Sequence, residues 1–180
     1  ASSLVDVQEG GRIVQCVGGR PETRLLVASS GGYGFLCTIA DMVSNRRAGR
    51  EFMSVEAGEV PLAPAVYADA KGNYVAAVAG QGRLLTFDIA EMRQMTRGRG
   101  VIVMGLEKDE KLIAVAVSNA KELFVEGIGR GGKEKQVRLA GEKLAHHFGH
   151  RARMGRVLPD KLKPRILVLP PKPEPPTPGR

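Results

Sequence analysis

"RLLVASSGGYGFLCTIADM", residues 24–42, is an apolar run, a glycine pair and a second apolar run. Such a stretch folds back on itself, because glycine takes the positive φ angles that a tight hairpin demands. The pattern recurs. "NYVAAVAGQGRLLTFDIAEM" begins at Asn73 and "KELFVEGIGRGGKEKQVRLAGEKL" at Lys121, so Leu25, Tyr74 and Leu123 mark one strand position at intervals of 49 residues. Downstream of each hairpin comes a basic, glycine-containing loop: "NRRAGR" (45–50), "TRGRGV" (96–101) and "HRARMGR" (150–156). The apolar segments "EFMSV" and "VIVMGL" after the first two loops read as strands, followed by an acidic turn and a fourth strand such as "LIAVAVS".

A period near 50 residues with about four strands per unit is the signature of blades set around an axis. The opening "SLVDVQEGGRIVQCV" matches the second half of a unit, Val7 and Gly10 corresponding to Val55 and Gly58. The expected architecture is therefore an all-β domain over 1–169. It comprises a partial blade (1–22) and blades at about 23–71, 72–119 and 120–169, with at most one short helix near 141–148. "RILVL" is the expected closing strand. Residues 164–180 hold seven of the 11 prolines, and 170–180 reads as a disordered tail.

The chain carries 27 Lys and Arg against 19 Asp and Glu, and residues 130–165 alone hold 11 basic and three acidic side chains. A basic concentration of this kind suits a polyanion. Only 4% of residues are aromatic, too few for the stacking platforms that single strands require, so a duplex held by its backbone is the expected partner. No apolar run approaches the roughly 18 residues of a membrane span, and no signal-peptide pattern opens the chain. Cys16 and Cys37 both sit in apolar stretches and read as buried thiols in a reducing cytosol, a disulfide being the lesser alternative.

"GIGRGGKEK", 127–135, fits G-x-G-x-x-G and nearly fits a phosphate loop. A phosphate loop must feed a helix N-terminus. Here the glycines feed "KEKQVRL", which alternates as a strand does, and Glu134 stands where a magnesium-binding hydroxyl belongs. The stretch reads as a hairpin turn. His146 and His150 have helical metal spacing but no third ligand in sight. Asp41, Asp88 and Glu91 recur after strands as turn or cap residues, and Tyr33, Tyr67 and Tyr74 as packing or turn residues. No nucleophile motif appears, so neither catalytic residues, metal nor cofactor are expected.

The candidate binding residues are those of the recurring loops: Arg46, Arg47 and Arg50; Arg97 and Arg99; Arg151, Arg153 and Arg156. Recurrence on a rotationally repeated scaffold sets them around one rim, where guanidinium forks match phosphate oxygens. Lys133, Lys135 and Arg138 extend the set. The rival reading is a propeller-like protein-interaction module with its ligand on a blade face.

At these loops the sequence resembles a known family. "LLVASSGGYGFLCTIADMVSNRRAGREFMSVEAGE", 25–59, is similar to the C-terminal domain of the A subunit of bacterial DNA topoisomerase IV, and the repeat extends the similarity over about 4–169. The related gyrase A domain carries a basic double-glycine box needed for DNA wrapping. "NRRAGR" and "TRGRGV" resemble degenerate copies, while "GRGGKEK" resembles it as a string but in another hairpin. The resemblance implies a β-pinwheel whose blades exchange strands and often stay open. It also implies a duplex-DNA-binding and bending role without catalysis. The catalytic tyrosine and magnesium site would then lie in the N-terminal part of the same polypeptide, and the ATPase in a partner B subunit.

Overall fold

The computed structural model describes residues 11, 13–46, 48–68 and 73–169. Three antiparallel sheets follow one another along the chain. The first joins β1 (Arg24–Ala28), β2 (Tyr33–Thr38), β3 (Ala65–Tyr67) and β6 (Val101–Ile102) in the order β3-β1-β2-β6. The second joins β4 (Tyr74–Ala79), β5 (Arg83–Asp88), β7 (Leu112–Ser118) and β10 (Arg156–Val157) in the order β10-β5-β4-β7. The third contains β8 (Glu122–Ile128), β9 (Glu134–Ala140) and β11 (Lys163–Val168) in the order β11-β8-β9. Among the described residues the third sheet has three strands rather than four.

Each hairpin expected from sequence is present, including β8–β9 around the glycine-rich stretch, with Ile128 opposite Glu134. Residues 165–168 of "RILVL" lie within β11, which pairs with β8. Strands pass between units: β6 follows β5 in the chain but pairs with β2, Val101 opposite Gly34. In the same way β10 comes from the third unit and pairs with β5, Arg156 opposite Leu84.

The sheets stack on alternating side chains of β4. Val75, Ala77 and Ala79 pack with Leu26, Ala28 and Leu36 of the first sheet. Tyr74, Ala76 and Val78 pack with Leu123, Val125, Val137 and Leu139 of the third. Burial on both faces explains why "YVAAVA" shows no polar alternation. β8 alternates because its far face is open, carrying cross-strand pairs such as Arg138 Nε–Glu122 Oε2 at 2.6 Å and Gln136 Nε2–Glu126 Oε1 at 2.7 Å.

Several expectations are corrected. "EFMSV" forms no strand; Met53 makes an isolated bridge to Gly98, because among the described residues no sheet edge lies beside it to extend a ladder. "VIVMGL" is a strand only at Val101–Ile102. Beside the expected short helix, here α2 (Glu142–Ala145), there is a second one-turn helix, α1 (Ile39–Met42), closed by a capping box between Thr38 and Asp41. Residues 13–22 carry no strand, and Cys16 is exposed rather than buried because no sheet packs over it. The remainder of the opening segment and the proline-rich tail lie outside the described residues. No described helix is long and apolar enough to cross a membrane.

Cys37 is buried, and desolvation, aided by the Asp41 carboxylate, pushes its thiol up to about 12. A thiol reagent at neutral pH should therefore modify Cys16 in the native protein and Cys37 only after unfolding. The exchanged strands make a second demand. Gly155 has φ of 71°, and a Cβ there would stand 2.6 Å from Leu84 O. Gly49 has the same φ with nothing within 4 Å. In urea unfolding, Gly155→Ala should cost about 3 kcal/mol and Gly49→Ala about 1 kcal/mol.

Candidate nucleic-acid interface

The basic loops spring from the free edges of the central hairpins. Leu36 of β2 donates to Arg93 O and accepts from Met95 N, both at 2.9 Å. The chain then bulges out through 96–99 and rejoins the same strand at Gly34 as β6. Thr86 of β5 repeats the device, donating to His147 O and accepting from Gly149 N at 2.8 Å each. The loop 150–155 bulges out before β10 rejoins at Leu84. Two adjacent sheets thus each wear a basic loop donated by the following unit.

The loops also touch in series. Gly98 N donates to Phe52 O at 2.9 Å and Ser54 N to Gly98 O at 3.2 Å, linking the second loop to the segment after the first. Ala152 N donates to Val103 O at 3.2 Å and Gly105 N to Arg153 O at 2.9 Å, linking the third loop to the segment after the second. Each of the later two loops is thus hydrogen-bonded to the segment that follows the loop before it.

Within these loops the arginines divide into two kinds. Arg99 stacks 3.9 Å above the Tyr33 ring and pairs with Glu59 at 3.1 Å and with Glu56. Arg151 donates through Nε to Glu91 O at 3.0 Å and through Nη1 to Ile102 O at 2.7 Å, while its backbone N–H reaches Glu91 Oε2 at 2.9 Å. Arg50 binds the Asp41 carbonyl at the end of α1. These three tie their loops down. Arg46, Arg97 and Arg153 are exposed, and their guanidinium groups meet no carboxylate among the described residues. Arg47 lies outside the described residues.

The remaining candidates sit elsewhere. Arg156, on β10, donates to His146 Nδ1 at 2.7 Å. Lys135 and Arg138 lie on β9, paired with Asp160 at 2.6 Å and Glu122 at 2.6 Å. Lys133 is at the β8–β9 turn, exposed and without a carboxylate partner among the described residues. Sequence reasoning did not find Glu56, Glu59 or Tyr33, whose roles arise from contacts 40 or more residues away in the chain. It did anticipate caps: Asp88 accepts from Ala90 N at 2.8 Å, and Tyr74 is a packing residue whose hydroxyl donates to Ala120 O at 3.0 Å.

His146 is the C-cap of α2 and His150 lies beyond it beside Glu91, so the two imidazoles do not share a helical face. His147 is buried against Leu84 O, and desolvation holds it below its ordinary range, hence neutral at pH 7. Among the described residues no three potential metal ligands converge.

Stacked sheets completed by exchanged strands define a β-pinwheel, a propeller-like array. The chain resembles the gyrase A-type C-terminal domain family: the family described as "DNA gyrase C-terminal domain, beta-propeller" matches residues 23–59 and 73–119. The A subunit of DNA topoisomerase 4 from Neisseria gonorrhoeae is 38% identical over 162 residues, covering 88% of this chain and 21% of that protein. The Pseudomonas aeruginosa counterpart is 29% identical over 156 residues, covering 82% of this chain and 20% of that protein. The chain thus spans about a fifth of the length of these relatives. Among solved structures, the E. coli ParC C-terminal domain superposes with a TM-score of 0.81 at 22% identity, covering 93% of this chain and 68% of that one. A DNA gyrase A C-terminal domain superposes at 0.72 and 15% identity, covering 93% and 56%. At these identities the superpositions establish the fold.

The two kinds of arginine should separate on substitution. Arg151→Ala removes two charge-assisted hydrogen bonds to carbonyls and should cost about 2 kcal/mol in urea unfolding. Arg153→Ala should stay within about 0.5 kcal/mol of wild type.

Proposed function

We propose that this chain is a non-catalytic domain of a type II DNA topoisomerase, of the kind found in the topoisomerase IV A subunit, that holds and bends duplex DNA. The observation that carries the reading is the succession of basic loops, the second and third each hydrogen-bonded to the segment after the loop before it. Each loop is tied down by one arginine and presents another, Arg46, Arg97 or Arg153, to solvent without a carboxylate partner among the described residues. Loops already held in place lose less freedom when phosphates bind, which lowers the ordering cost. Arg47 belongs to the same first loop. Arg50, Arg156, Lys135 and Arg138 remain exposed and add to the positive field, while Arg99 and Arg151 act by positioning.

Contacts of this kind position a duplex without reading its sequence. Bending is what the pinwheel architecture implies for a duplex held by loops on successive sheets, at a cost of about 1–6 kcal/mol. In the parent enzyme, acting in the bacterial cytoplasm on the nucleoid, this would guide which duplex crossings are captured during decatenation and supercoil relaxation. The bond-breaking tyrosine and its magnesium would reside in the N-terminal part of the same polypeptide. ATP hydrolysis would belong to a B subunit, so this domain takes no cofactor.

Affinity for a random 40-base-pair duplex, measured from 50 to 300 mM salt, should fall steeply and be indifferent to sequence. The Arg46→Ala, Arg97→Ala, Arg153→Ala triple variant should lower the log–log salt slope by about 3, near 0.9 per phosphate contact. Wild-type binding that is absent or insensitive to salt would overturn the reading in favour of a protein-interaction module.

A further inference from the structure

The three hairpin tips share one turn hydrogen bond at a spacing of 50 residues. Gly32, Gly82 and Gly132 all have positive φ, and their N–H groups donate to Ser29, Ala79 and Gly129 carbonyls at 3.0, 2.9 and 3.2 Å. What covers the tips differs. In the first, Ser30 N donates to Val60 O at 2.8 Å, and the Glu59 carboxylate lies directly on Gly31 while accepting from Ser29 Oγ at 3.2 Å. In the second, Gly80 N donates to Lys111 O at 2.9 Å and Gln81 N to Glu110 Oε1 at 3.3 Å. Each of these tips therefore carries a carboxylate of the chain itself, an anion seated on the turn.

The third tip differs in backbone as well as in cover: Gly131 has a φ of 85°, whereas Gly31 and Gln81, at the same place in the other two turns, do not have positive φ. Asp160, 50 residues after Glu110, is one methylene shorter and sits on a left-handed backbone with φ of 59°. Its carboxylate goes to Lys135 Nζ at 2.6 Å instead of to the tip. Lys135, with Arg130 contributing, holds that carboxyl below its usual range. The Arg130 and Gly131 N–H groups have no hydrogen-bond partner among the described residues, and no heavy atom would lie within 4 Å of a Cβ on Gly131. Arg130 and Lys133 are exposed and form no ion pair within 4 Å among those residues, although Arg130 lies near enough to Asp160 to favour its charged form. A cleft of about 400 Å³ opens between Gly129, Arg130, Lys133, Glu134, Lys135 and Asp160.

We propose that the β8–β9 tip is a second phosphate seat for duplex DNA, separate from the basic loops: the Arg130 and Gly131 amides donate to a phosphodiester oxygen, and the Arg130 and Lys133 side chains neutralise it. No helix follows the tip, so the seat is that of a cationic hairpin with two available amides and not of a nucleotide loop. The inference rests on the DNA-binding reading above.

The test is to titrate the ¹⁵N-labelled chain with the 40-base-pair duplex and, separately, with inorganic phosphate, following the Arg130 and Gly131 amide resonances. The salt slope of an Arg130→Ala, Lys133→Ala variant is measured in parallel. Support is a shift of both amides with duplex and a slope lower by about 2, with an unchanged urea midpoint. If wild type binds duplex through Arg46, Arg97 and Arg153 while the tip amides stay fixed and the variant keeps the wild-type slope, the seat is refuted and the functional reading stands. Amides that move with inorganic phosphate but not with duplex would also overturn it, as a free-phosphate site. If wild type binds no duplex, the functional reading falls and this assignment with it.

Discussion

The fold depends on the way each of the first two sheets is completed by the unit that follows it. A hairpin of two strands buries little and leaves an edge of unpaired N–H and C=O groups. Here the edges of β2 and β5 are filled in two places by the next unit. A pair of bonds at Leu36 or Thr86 comes first, and a two-residue strand rejoins the edge at Gly34 or Leu84. The segment between these points has no choice but to bulge outward. The basic loops are therefore a consequence of the exchange: the clamp that closes one sheet is the device that displays the next unit's arginines.

Presenting unpaired cations in register needs something to hold them, and the chain uses other cations for that. Arg99 on Tyr33 with Glu56 and Glu59, Arg151 on the Glu91 and Ile102 carbonyls, and Arg50 on the Asp41 carbonyl lock three loops by three different contacts. The planar guanidinium, donating in several directions at once, suits this better than an ammonium. Removing charge from these loops therefore has two distinct outcomes, loss of grip or loss of the loop's shape, depending on which arginine goes.

Acidic turns play the complementary part. Glu59 and Glu110 cover the first two hairpin tips, and Glu110 is buried with Arg83, an arrangement costly to break because the survivor would be left charged in the interior. In the third unit the carboxylate of Asp160 pairs with Lys135 instead. The basic excess of residues 130–165 is thus not a uniformly solvated face. Part is consumed by Glu122 and Asp160, and among the described residues Lys133 and Arg153 are exposed without an ion-pair partner.

The repeat, the hairpins and the candidate loops were legible in the amino-acid sequence because they rest on local rules: period-two strands, glycines at turns, and recurrence near 50 residues. The reading of "GIGRGGKEK" as a hairpin followed from the alternation of what comes after it. The length of "VIVMGL" as a strand, the absence of one at "EFMSV" and the exposure of Cys16 were not legible, since each depends on whether another unit's edge lies alongside. Local sequence also could not sort Arg97 from Arg99 or Arg153 from Arg151. Both members of each pair sit in the same short basic loop, and only contacts with Tyr33, Glu59 and Glu91, distant in the chain, decide which is held and which is offered. Sequence by itself determined the unit and its charge; the tertiary structure decided pairing between units, because a strand edge or a carboxylate acts only on what folding brings within hydrogen-bond reach.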